Sequence, residues 1–116
     1  MADTTFRAGN PEHIDYTPSS GNVAAGQVVL LGNTTGITCG VAHAAIENNV
    51  KGALMLGGEY DVVNLNNAAN YAKVYWDDTN NKVTTVSTNN ALFGFIARSG
   101  GGGANSTAVA RHFPYA

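Results

Sequence analysis

The sequence predicts an all-β fold, a compact small β-barrel or sandwich of short antiparallel strands entered by an extended N-terminal arm. Three observations point there. Clusters of turn formers recur about every eight to twelve residues, the spacing of sandwiches and barrels rather than of βαβ units. Fourteen glycines stand among many Asn, Thr and Ala residues, a usage that suits short strands joined by tight turns. The stretch 72–85 also reads as a β-hairpin, with Lys73-Val74-Tyr75-Trp76 and Lys82-Val83-Thr84-Thr85-Val86 flanking Asp77-Asp78-Thr79-Asn80-Asn81. Its β-branched and aromatic flanks fit a pleated, half-buried surface, and Asn and Asp tolerate the left-handed backbone of a tight reversal. Trp76 is the one tryptophan. A buried indole removes about 150 to 250 Å² from water, which makes this hairpin the expected packing anchor.

The 116 residues divide into an N-terminal arm, 1–10, and a single β domain, 11–116. The arm is polar and without a period. In 11–18, Ile14 and Tyr16 alternate with polar neighbours between two prolines, as in an edge strand. After a turn at 19–22, the apolar run 27–31 ends at Gly32-Asn33 and reads as a buried strand. A short strand follows at 36–39. The run 41–46 is compatible with a helical turn as well as with a strand, and is taken as a strand. Strands at 50–56 and 59–63 flank Gly57-Gly58, where a bulge or sharp bend is expected. Residues 66–70 are expected to form one helical turn leading into the hairpin. The most hydrophobic strand, 91–97, should be central, with Phe93, Phe95 and Ile96 packing on Trp76, Val28 and Leu30. A glycine loop spans 99–105. In the closing strand, 107–113, Val109, Arg111 and Phe113 share one face and Ala108, Ala110 and His112 the other.

Composition bounds the function. Six basic and eight acidic residues give a formal charge of -2, without the basic footprint that a nucleic-acid backbone requires, so no nucleic-acid partner is expected. Cys39 is the one cysteine and cannot form an internal disulfide. No apolar run has the length of a signal or membrane segment, so a soluble protein made in a reducing compartment is expected, with no membrane partner. The glycines at 100–103 lack the following Lys of a phosphate-binding loop. His13, His43 and His112 have no metal-ligand spacing, and Cys39 reads as a small core residue; no metal, cofactor or catalytic residue is assigned. Asp77 and Asp78 beside Trp76 could suggest a sugar site, yet a turn needs such residues anyway, and neighbouring carboxylates do not converge across a glycosidic bond.

The order Ile14-Asp15-Tyr16-Thr17-Pro18, Ala25-Gly26-Gln27-Val28-Val29, Lys51-Gly52-Ala53, Lys73-Val74-Tyr75-Trp76-Asp77-Asp78 and Phe93-Gly94 resembles the small capsid decoration, or cement, proteins of tailed phages. Members of that family are often labelled as predicted phage recombinases, a label without counterpart here, since there is neither an ATP-binding loop nor a basic DNA surface. The segment between Asp3 and Ile14 and the loop at 100–103 depart from the family pattern. The resemblance implies a compact β fold, homotrimers seated on the outer surface of the phage head after synthesis in the host cytoplasm, the major capsid protein as partner, and no catalysis. Capsid contact is expected in the entry segment, at Phe6, Arg7, Ile14 and Tyr16, because so polar an arm cannot order itself against the entropy of about 1 to 2 kcal/mol per residue. The rival reading is a carbohydrate-binding or host-surface adhesion module using the Trp76 hairpin. The position of Trp76, in a core or in an open groove, separates the two.

Overall fold

The computed structural model describes residues 13–32, 38–100 and 102–113. The arm, 1–10, and with it Phe6 and Arg7, lies outside the described residues. Among the described residues there are nine strands and no helix: β1 His13–Tyr16, β2 Val28–Leu31, β3 Thr38–Val41, β4 Gly52–Met55, β5 Glu59–Asn64, β6 Lys73–Asp77, β7 Lys82–Thr84, β8 Ala91–Arg98 and β9 Ser106–His112. The all-β expectation holds. The first four strands form a sheet in the order β1-β4-β3-β2, and the last five close a barrel in the order β5-β7-β6-β8-β9. All pairings are antiparallel except the single parallel contact Asn64 to Val83, which closes the barrel.

Alternation along β2 and β3 lets the four-stranded sheet serve two cores. Val28, Cys39 and Val41, with Leu30 partly buried, pack on the barrel interior formed by Val74, Trp76, Val83, Phe93, Ile96, Ala108 and Ala110. Val29, Ala42 and Leu54 face the other way and meet Val23 and Ile46 in a second, smaller cluster. A strand with both faces covered reads as a continuous apolar run, which is why 27–31 carries no alternation. Gly58, with φ 97°, turns the chain from the sheet into the barrel, at the bend expected from Gly57-Gly58. In β9 the two faces fall as the alternation divides them, and the structure shows the buried one to be Ala108, Ala110 and His112.

Three expectations are corrected. The strand at 41–46 does not exist as such: Val41 ends β3, residues 43–45 are exposed, and Ile46 makes an isolated bridge to Val23. The reason is local, since Ala42 exchanges backbone bonds with Gln27 and Gly26 while Ile46 exchanges them with Val23, leaving the intervening residues looped out. The helical turn at 66–70 is also absent. Asn67 takes φ 52°, a left-handed value no right-handed helix contains, and the Asn64 side chain bonds both the N–H and the C=O of Ala68.

The third correction is Phe95, which is half-buried on the outer face. Pairing of β8 with β6 steps from Val74–Gly94 to Tyr75–Leu92, so Phe93 is the extra residue of a bulge. A bulge resets the side-chain phase. Phe93 and Ile96 therefore both face the core, fully buried, and Phe95 is turned out. Gly94 makes this possible: its φ is 152°, and a Cβ there would stand 1.9 Å from the Arg111 carbonyl oxygen. Gly94→Ala should therefore cost about 3 kcal/mol of stability, through overpacking together with a backbone conformation that side chains disfavour. Chemical denaturation checks this, and an unchanged midpoint would contradict the bulge.

Candidate functional site

The hairpin that dominates the sequence places its polar residues at its own service. Trp76, 8% exposed, lies against Phe93 with ring centroids 6.0 Å apart. Its indole N–H donates to Asp78 Oδ1 at 3.0 Å. Asp77 Oδ1 accepts the N–H groups of Thr79 and Asn80 at 3.0 and 3.2 Å, and Oδ2 accepts the Asn80 side-chain amide at 2.8 Å. The Asn80 side-chain bond, helped by the backbone bonds and Lys82, holds the Asp77 carboxyl below its ordinary pKa against the opposing effect of desolvation. Asn81, with φ 57°, closes the turn. These carboxylates are turn-makers, and the indole is largely buried with its N–H engaged.

A second cluster joins the two sheets. His112 is buried, with Nδ1 2.8 Å from the Phe93 carbonyl oxygen and Nε2 3.1 Å from that of Cys39. Its ring lies 4.6 Å from Phe93 and 6.3 Å from Tyr60, centroid to centroid. The Tyr60 hydroxyl donates to the Gly57 carbonyl at 2.7 Å, so His43 Nε2, also at 2.7 Å, is the donor to that hydroxyl. The Cys39 thiol donates to the Leu92 carbonyl at 3.4 Å. Burial, with a smaller contribution from the Asp78 charge, pushes its pKa up to about 12, which keeps it a packed thiol rather than a nucleophile. Among the described residues, no three His, Cys, Asp or Glu side chains converge as a metal site.

Of the sequence-predicted contact residues, Ile14 and Tyr16 lie on β1, an edge strand of the sheet, paired with Leu54 and Gly52. Ile14 is 37% exposed. Tyr16 packs partly against the second core. Two residues apart on a regular strand, Ile14 and Tyr16 share one face with Leu54; Tyr16 is partly covered there and Ile14 stays partly exposed at the rim, while Phe6 and Arg7 lie outside the described residues.

Two features escaped sequence reasoning. A cavity of about 440 Å³ opens between sheet and barrel, lined mainly by Val28, Val41, Tyr60, Val62, Trp76 and Phe93. On the outer barrel face, Tyr71, Lys73, Phe95 and Phe113 surround the bare backbone of Gly94. The alternation of β9 did place Phe113 on the face of Arg111; only the bulge in β8, invisible as a pattern, brings Phe95 beside it.

Compared with known proteins, the chain matches over residues 8–112 the family model described as phage cement protein. No curated protein and no solved structure matches it.

The His112 geometry has a pH consequence. Burial lowers the pKa of the ring below the ordinary 6.5, outweighing the two carbonyls that favour a second proton. The unfolded chain then binds more protons than the folded one just below that value. Stability should be fully present above pH 6.5 and fall as the pH drops towards the folded-state pKa. Urea denaturation across this range checks it. In His112→Gln that part of the dependence should vanish, and its persistence would assign it to other groups.

Proposed function

The chain belongs to the phage cement protein family, and from that membership we propose that it is a head-decoration protein. It binds the major capsid protein on the outer surface of the phage head, as a homotrimer, and stabilises the shell without catalysis or cofactor. The observation that carries this reading is the family match across residues 8–112; the fold supplies physical support. Clamping a shell needs many equivalent contacts and no chemistry, and a charge-poor β domain suits that work.

The entry segment is the docking element in this reading. In the described sheet β1 is an outer strand, and Ile14 on it is 37% exposed. An arm running on from β1 and carrying Phe6 and Arg7 would gain its hydrogen bonds by adding to a strand edge of the capsid, ordering only on contact. The rival sugar-binding reading needs an accessible Trp76 face; the ring is 8% exposed and its N–H is engaged by Asp78.

Purified heads lacking their native cement protein test the proposal. Full-length protein should saturate them and raise the temperature at which they release DNA; failure to bind would sink the reading. Removal of residues 1–10 should leave the melting temperature of the free protein within about one or two degrees while reducing occupancy on those heads. Unfolding of the truncated protein, or undiminished binding, would remove the arm from the docking role.

A further inference from the structure

The outer barrel groove is a surface that the fold itself leaves unexplained. It encloses about 360 Å³ and is lined by Tyr71, Lys73, Gly94, Phe95 and Phe113. Tyr71 and Phe113 are 76% and 48% exposed, large values for aromatic side chains. Tyr71 also has φ 68°, a region that bulky residues rarely adopt, held there by its N–H bond to the Ile96 carbonyl at 2.6 Å. Backbone held in a disfavoured region to display an aromatic ring to solvent is a mark of binding surfaces. Lys73 pairs in register with Phe95 and so stands beside the same groove. Among the described residues, the ion pairs are Lys51 with Asp15 and Arg111 with Glu59, leaving Lys73 without a carboxylate partner.

The groove therefore calls for an apolar side chain accompanied by a carboxylate. Among the described residues, the chain's own surface offers one such combination. The remaining exposed large hydrophobics there are Ile14, Val50 and Val86. Beside Ile14, Asp15 is already paired with Lys51. The segment around Val86, residues 85–90, contains no acid. Val50, by contrast, closes a tight turn with Glu47, its N–H bonding the Glu47 carbonyl at 3.0 Å, and both side chains are exposed. Glu47 joins neither ion pair.

We propose that the Tyr71–Phe95–Phe113 groove receives the Glu47–Val50 turn of a second copy of this chain, Val50 seated among the aromatic rings and Glu47 against Lys73. The two surfaces are different patches, one on the barrel and one at the entrance to β4, so the contact is head-to-tail, and with a threefold rotation it closes into a ring. This rests on the self-association in the reading above and gives it an interface.

Sedimentation equilibrium at micromolar concentration tests it. Tyr71→Asn removes the ring while suiting the left-handed backbone, so the fold should be retained and self-association weakened about thirtyfold. Lys73→Glu and Glu47→Lys should each weaken association, and the double reversal should restore it. Those charge variants keep the test decisive if Tyr71→Asn fails to fold. A wild-type monomer would overturn both this interface and the trimer. A trimer indifferent to the single charge reversals would overturn this interface alone. Variants that stay trimeric but no longer bind heads would give the groove to the capsid and overturn the second-copy occupant.

Discussion

The junction at which His112 spans two backbone carbonyls holds the molecule's two sheets in one arrangement. On one side is Phe93 of the barrel and on the other Cys39 of the four-stranded sheet. A neutral imidazole carries a single N–H and serves one carbonyl at a time, so the ring joins the sheets without forming a rigid double strut. The same carbonyl of Phe93 also accepts the Phe113 N–H at 2.8 Å. That convergence is available only because Phe93 is the extra residue of a bulge and Gly94 lets β9 come close. A hydrogen-bonding constraint in the backbone thereby decides which aromatic side chain fills the core.

The other buried polar groups follow the same logic. Asn64 is fully buried at the end of β5, where an unpaired amide would be costly. Its side chain satisfies both backbone groups of Ala68, and its carbonyl accepts the Asn105 N–H at 2.8 Å. One residue thus folds the 65–70 loop back and fastens the loop leading into β9, at the point where β5 meets β7 to close the barrel. A helical turn there would have withdrawn these groups from Asn64.

Much of this architecture was legible because short strands write their burial directly into alternation and turns. The hairpin of β6 and β7, the run Val28–Leu31 and the division of β9 into two faces are all visible in residue types alone. What stayed hidden depends on partners distant in sequence. The bulge at Phe93 is set by β6 and β9, so the apolar run 91–97 cannot say which of its two phenylalanines faces inward. The looped-out residues 43–45 are decided by bonds to Val23, Gly26 and Gln27. Tyr71 in a left-handed conformation was equally unreadable, since nothing local to Asn70-Tyr71-Ala72 asks for it.

The functional surface was harder to read than the fold, and for a physical reason. A reactive site draws unlike groups together and perturbs their titration for chemistry, whereas here the perturbed groups all serve folding. Cys39 is raised by burial, Asp77 is lowered by its own turn, and His112 is lowered by the junction it spans. Cys39 and His112 are committed to the interior and Asp77 to its turn, while apolar groups are displayed at the surface in Ile14 on an edge strand and in Tyr71 and Phe113 on the barrel. These two displays stand on separate sheets, one on the four-stranded sheet and one on the barrel.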